Sequence, residues 1–236
     1  RRLSGGTVTL VEGVGLYGKP ALPPEPAGPL SISTPKTPSS PSPRTPPASL
    51  EAPAGGKFAR AAYYGEVETY VAWDKRGLHL KWYVTKDATP FVNEGQDWTM
   101  LFTTGDSCDF QVESPKYGRC RFVIAMFKDQ PIVVCMRYDA RDEGKGITYQ
   151  SDIGKIHVPS VEKLEIPVSV RRFEGSYALQ LILPWDALGI EPKTGLEIPV
   201  ELGILQSDPS GNRTISRQYW YSGASEMVSD VPTEAQ

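Results

Sequence analysis

The chain has 236 residues, with 25 basic and 28 acidic side chains and a formal net charge of −3. That balance argues against a nucleic-acid surface, which needs a basic stripe, and no apolar run approaches the ~18 residues of a membrane span. Three cysteines are too few for a disulfide framework, and the first residue is Arg1, so the chain is expected to be part of a longer protein.

Residues 1–18 hold one short strand, Thr7 to Val11, among glycines. Such a strand forms no core alone, and it reads as the last strand of a preceding domain. From Pro20 to Pro53 the chain carries twelve of its 22 prolines. Proline removes an amide donor and fixes φ, so residues 19–56 are expected to be an extended, semi-rigid linker. On this basis residues 1–54 contribute nothing to a folded core.

At about Lys57 the pattern changes to alternating strands. EVETYVAW and GLHLKWYVT are joined by Asp74-Lys75-Arg76-Gly77 as a hairpin, with Leu78, Leu80, Trp82 and Val84 on one face. Further strands are expected at Trp98–Thr103, Cys108–Glu113, Arg119–Phe127, Ile132–Tyr138, Glu162–Phe173, Tyr177–Leu183, Leu196–Gln206 and Thr214–Tyr221. Residues 119–127 and 131–138 pair through a turn around Asp129. Only PWDALG, residues 184–189, reads as helical, for a single turn that Gly189 ends in the left-handed conformation. Trp185 is expected to pack beneath that turn. Many short strands with close turn signals describe an all-β, antiparallel β-sandwich with immunoglobulin-like or jelly-roll-like layers. It spans residues 57–236.

Catalytic patterns are missing. The two histidines, His79 and His157, stand on separate strands with no Cys or carboxylate at zinc-ligand spacing. No GxSxG, phosphate loop or dinucleotide fingerprint occurs, and the segment does not read as an enzyme. The cysteines read as buried free thiols, with a Cys108–Cys120 link left open by the odd count. In NEGQDWTMLFTTGDSCDFQV, residues 93–112, Asp97 is expected to satisfy backbone amides at a strand start. Gly105-Asp106 make the turn, and Asp109 faces away from Phe110. Loops at sandwich ends carry function, so this polar rim is a place to look for ligand. The loop Asp208-Pro209-Ser210-Gly211-Asn212-Arg213 reads as a tight turn, with calcium held by Asp208 and Asn212 as the alternative.

The order PWxxLG, PxxG, a strand, DxxGxR and Trp220 seven residues after Arg213 resembles the C-terminal half of family 9 carbohydrate-binding modules. Asp97 and LHLKWYV resemble the earlier half, and TGDSCDFQV is similar to a bacterial subgroup found in large exported multidomain proteins. The resemblance covers residues 57–236. It implies a non-catalytic, extracytoplasmic β-sandwich that binds saccharide and sits beside a neighbouring domain of the same chain. In sugar-binding members two tryptophans clamp a terminal ring. Matching Asp97 to the family acid puts Glu94 at the first clamp position and Val228 at the second, so neither is Trp. Trp98, Tyr219 and Tyr221 are the aromatics that could replace them. The candidate ligand residues are therefore Trp98 and Tyr221, with Asn93 and Glu94 at the rim.

Two other functions remain open on sequence. One is a structural or protein-interaction sandwich packing on a neighbouring domain, favoured by the absent clamp tryptophans. The other is a haem-binding domain, as in some related DOMON-like sandwiches. It would draw axial ligands from Met100, Met126, Met136, His79 and His157, among which no pair stands out.

Overall fold

The computed structural model describes residues 6–11, 14–17, 59–64, 67–85, 91–151, 154–220 and 234–235. The first strands are β1 (Gly6–Val11), β2 (Val14–Tyr17), β3 (Ala59–Tyr64), β4 (Val67–Asp74) and β5 (Gly77–Thr85). A 3₁₀ turn, Trp98–Met100, runs into α1 (Leu101–Thr104). Then come β6 (Ser107–Ser114), β7 (Gly118–Phe127), β8 (Gln130–Arg137), β9 (Ile147–Ser151), β10 (Gly154–Val158) and β11 (Ser160–Leu164). The chain continues through β12 (Val168–Phe173), β13 (Ser176–Pro184), α2 (Trp185–Leu188), β14 (Glu197–Ser207), β15 (Thr214–Tyr219) and β16 (Glu234–Ala235).

These strands form an antiparallel sandwich. The large sheet runs β11-β8-β7-β6-β14-β1-β2, and β15 also pairs with β14. The small sheet runs β12-β13-β5-β4-β3, and a third sheet runs β10-β9-β16. Strand alternation divides each sequence between two faces. Cys108, Phe110 and Val112 of β6 join Phe122 and Ile124 of β7 in the main core, against Leu80, Trp82 and Val84 of β5 and Leu179 and Leu181 of β13. The opposite face of the large sheet is also covered. Val123, Val134, Met136 and Leu205 form a second cluster there with Phe102 of α1, Tyr149 of β9 and Val158 of β10.

Much of the expected arrangement is present. The Asp74–Gly77 hairpin forms, and Asp74 accepts hydrogen bonds from Arg76 N and Nε. The β7–β8 hairpin turns at Lys128 and Asp129, whose φ values of 50° and 64° suit a tight hairpin twist. In it Cys120 opposes Arg137 and Cys135 opposes Phe122, so these two thiols are not directly opposite. All three cysteines are free and buried, and Cys108 opposes Ile124 while Cys120 opposes Val112, so no Cys108–Cys120 link forms. Burial pushes Cys120 up to about 11 and Cys135 to about 12, which keeps both as thiols. The α2 turn ends at Gly189 with φ 63°. Trp185 is 7% exposed; its indole N–H donates to Asp74 O at 2.8 Å and its ring meets Trp73 edge-on at 6.3 Å.

Three expectations are corrected. The strand near residue 10 is no remnant of another domain, because β1 pairs with Glu197–Val200 of β14 and puts Val8 and Leu10 into the main core, 1% and 0% exposed. Residues 1–54 therefore do supply core. Sequence distance hid this partner, since nearly two hundred residues separate the paired strands. The expected strand at Trp98–Thr103 is helical. Asp97 caps it, its Oδ1 accepting from Thr99 N at 2.9 Å, which is the N-cap role of aspartate. The run Glu162–Phe173 is two strands, broken where Pro167 lacks an amide donor; β11 joins β8 of the large sheet and β12 joins β13 of the small one. The linker expected at residues 19–56 lies outside the described residues.

Two outcomes follow from the core. Leu10→Ala is expected to lower stability by about 2–5 kcal/mol in urea unfolding, and a wild-type midpoint would mean β1 is dispensable. Trp185→Ala is expected to cost about 3–5 kcal/mol in the same measurement, because it removes a packed indole and its hydrogen bond together.

Candidate functional site

The rim expected to bind ligand is built and internally satisfied. Asp106, 1% exposed, joins its two loops: Oδ2 accepts from Val92 N at 2.9 Å, and Oδ1 accepts from Ser207 N and Oγ at 2.7 and 3.0 Å. Asn93 is buried, and all four of its amide hydrogen-bonding positions are used. Nδ2 donates to Leu101 O and Asp106 O, while Oδ1 accepts from Gly95 N and Thr104 Oγ1. Asn93 therefore holds the loop and has nothing left for a ligand. Glu94 is exposed, and its amide donates to Gly211 O at 2.8 Å, which brings it beside the 208–213 loop. In that loop Asp208 Oδ1 accepts from Ser210 Oγ and Asn212 N, and Asn212 Nδ2 donates to Ser210. The Ser210 hydroxyl leads the contacts that hold the Asp208 carboxyl below its usual range. Among the described residues no three His, Cys, Asp or Glu side chains group as a metal site; the side-chain oxygens this loop holds are those of Asp208, Ser210 and Asn212.

Trp98 departs from the rim. Half-buried, it packs at the margin of the second cluster, on the outer face of the large sheet. Tyr221 lies outside the described residues. The sequence-predicted set is thus split: Asn93 and Glu94 stand with Asp208 and Asn212 at one end, and Trp98 stands on the sheet face.

That face holds an unforeseen group of charges. Asp109 on β6 and Arg121 on β7 point away from the main core, and both side chains are 0% exposed. Arg121 Nε and Nη2 donate to Asp109 Oδ2 at 2.9 and 2.6 Å. Tyr219 on β15 donates its hydroxyl to the same oxygen at 2.9 Å. Tyr219 reaches it across β14 because Gly203 has no side chain; a Cβ there would lie 2.4 Å from the tyrosine ring. Glu201, 2% exposed, opposes Gln111 on the same face. The Arg121 guanidinium lies 4.9 Å over the Phe102 ring, and Tyr149 packs edge-on to that ring and donates to Thr99 O.

The electrostatics follow from dryness. Burial works against the Arg121 charge, but Asp109 outweighs it and holds Arg121 above its usual pKa. Burial raises Tyr219, and the Asp109 charge adds to the shift. Burial pushes Tyr138 up to about 12, against the pull of the nearby Arg121. Arg217, whose Nη2 donates to Phe102 O, is held below its usual value by burial and then by the like charge of Arg121. The group is unevenly satisfied. Three donors converge on Asp109 Oδ2, while Asp109 Oδ1 and Arg121 Nη1 are buried without a hydrogen-bond partner among the described residues.

Asp109 and Tyr219 are each conspicuous in the sequence, and Arg121 is not. A signal existed: an acid and an arginine each interrupt an apolar strand at positions facing away from the core, and a glycine interrupts ELGIL of β14. Their meeting depended on a diagonal across β6 and β7 and on the return of β15 beside β14. The candidate haem ligands are not gathered. His79 of the small sheet bonds Asp74, and His157 of β10 bonds Asp142 and Thr148, whereas Met100 and Met136 share the second cluster and Met126 belongs to the main core.

No protein-family model matches the chain, and no curated protein matches it. Solved structures similar to it include two family 9 carbohydrate-binding modules from Caldicellulosiruptor kristjanssonii. One, in complex with cellotriose, is 13% identical with a TM-score of 0.36, over 63% of this chain and 62% of that one. The other, in complex with glucose, is 11% identical with a TM-score of 0.36, over 67% of this chain and 71% of that one. The chain thus spans less than two thirds of the cellotriose-bound structure, and likeness at this TM-score carries no weight for the site.

Asp109→Ala should cost about 3–5 kcal/mol in urea unfolding, because it leaves the Arg121 charge buried and unpaired. Replacing both, as Asp109→Leu with Arg121→Met, should recover most of that loss, since a dry ion pair seldom outperforms apolar packing. Equal losses in the single and double variants would show that the charges are not coupled.

Proposed function

We propose that this sandwich is a non-catalytic carbohydrate-binding module of a larger, extracytoplasmic protein, with its saccharide site on the outer face of the large sheet. The reading rests on one observation above all: Asp109 Oδ1 and Arg121 Nη1 are an acceptor and a donor of one desolvated ion pair, with their hydrogen-bonding capacity unspent. A carboxylate and a guanidinium in that relation suit vicinal hydroxyls, which donate to one and accept from the other. Tyr219 adds a hydroxyl, and Trp98, half-buried at the margin of the same cluster, supplies apolar ring surface. The late-strand motif from Pro184 to Trp220 points to the same class of ligand. Nothing in the group is arranged as a nucleophile with its base, which supports a binding and not a catalytic role.

A second reading has its own support. The pair has no solvent exposure beneath α1, and a buried ion pair can serve only to specify how the cover seats on the sheet. On that reading the domain is a structural or protein-interaction sandwich.

Glucose and cellotriose titrated into the ¹⁵N-labelled chain separate the two. Saccharide binding predicts saturable shifts at the Trp98 indole and at the Asp109 and Tyr219 amides, with a Kd near the millimolar end, about −4 kcal/mol. Tyr219→Phe should weaken binding about tenfold, and the Asp109→Leu/Arg121→Met protein should fold and not bind. A folded wild-type chain that shows no saturable shift with any common sugar would favour the structural reading.

A further inference from the structure

β7 runs between the two ends of the sandwich. It finishes at the rim already described and starts, at Gly118, beside a cavity of about 340 Å³ between the β6–β7 turn, the end of β8 and the start of β11. The central side chain of this cavity is Arg137, the last residue of β8. It is 12% exposed, and its guanidinium lies 4.6 Å over the Tyr117 ring. Of its five N–H donors only Nη1 has a partner among the described residues, Glu162 Oε2 at 3.0 Å; Nε is buried and unpaired. The edge formed by Nε and Nη2, the side of a guanidinium that grips two oxygens at once, is therefore unspent.

The surrounding charges leave this edge for an anion. Asp139 is already held by Arg119, through its backbone N, Nε and Nη2 at 2.8, 3.0 and 2.8 Å. Glu162 is shared between Arg137 and Lys145, whose Nζ lies 3.1 Å from Oε1. Glu143 and Arg141 are both exposed at the cavity margin and oppose each other in sign. Lys116 remains, its Nζ 4.9 Å over the Tyr117 ring, the same ring that Arg137 covers. The acids are thus matched within the wall, and a surplus of positive charge faces a concave space.

We propose that this cavity is an oxyanion-binding pocket, in which the Nε–Nη2 edge of Arg137 takes a carboxylate or sulfate group and Lys116 and Lys145 supply long-range attraction. The pocket lies at the other end of the sandwich from the rim and is independent of the Asp109–Arg121 site. The ligand chemistry has two sources, a free inorganic anion or an acidic saccharide bearing the same group.

The test is a titration of the ¹⁵N-labelled full chain with sodium sulfate, with glucuronate and with glucose, at constant ionic strength set by chloride. The expected result is saturable movement of the Arg137 Nε–H resonance and the Lys145 and Ser160 amides with sulfate or glucuronate but not with glucose. The tighter of the two anions identifies the source. Arg137→Lys keeps the charge and loses the fork, and should weaken binding about tenfold. Lys145→Gln, at an exposed position, should weaken it about threefold with the fold unchanged. Absence of saturable binding by both anions overturns the proposal, as does unchanged binding in Arg137→Lys. If that variant does not fold, unchanged binding in Lys145→Gln overturns it. Glucose shifts at Asp109 report separately on the outer-face site, so failure of one site is distinguishable from failure of the other.

Discussion

A carboxylate and a guanidinium meet on the large sheet with neither side chain exposed to solvent, and the neighbouring structure is arranged to make that tolerable. Taking two charges out of water costs several kcal/mol per ion unless geometry and further hydrogen bonds compensate. Arg121 grips Asp109 through two donors, Tyr219 adds a third, and the Phe102 ring lies against the guanidinium. The cover is therefore tied to the charges. Without α1 and the β9–β10 ribbon the pair would sit on a solvated sheet face, and its electrostatic hold on Tyr219 and Tyr138 would fade with the higher dielectric.

The strand order explains how these groups converge. β14 is the longest strand, and its two edges are used differently. β6 occupies one edge, while the other is shared end to end by β1 at residues 197–200 and β15 at residues 203–207. β1 closes the main core with Val8 and Leu10, and β15 delivers Tyr219 to the opposite face. The same strand thus serves the hydrophobic core on one side and the polar cluster on the other. Gly203 sits where the two uses meet, its missing side chain making room for the tyrosine ring.

The rim shows the contrary economy. Its polar residues attract notice in the sequence because they are dense, yet they are dense because two loops need many hydrogen bonds to hold each other. Asp106 and Asn93 are consumed in this way. Available hydrogen-bonding capacity, and not polarity itself, distinguishes a binding group from a structural one. By that measure Asp109, Arg121 and Arg137 stand out, and each lies within an apolar strand where the sequence hides it.

Local chemistry determined what could be read from the sequence alone. Period-two alternation gave the β-sandwich and most of its strands, turn residues gave the Asp74–Gly77 and Asp129 hairpins, and Pro184 with Gly189 bounded the α2 turn. These depend on residues a few positions apart, so their cause lies within the reading window. Tertiary structure alone decided that β1 completes the large sheet, that Asp97 caps a helical turn in place of starting a strand, and that Pro167 carries the chain from one sheet to the other. It also decided that the large sheet is buried on both faces. Alternation assigns residues to two sides of a strand but cannot say what covers either side. Whether Asp109 and Arg121 face water or each other depends on that cover, supplied by α1 and the β9–β10 ribbon.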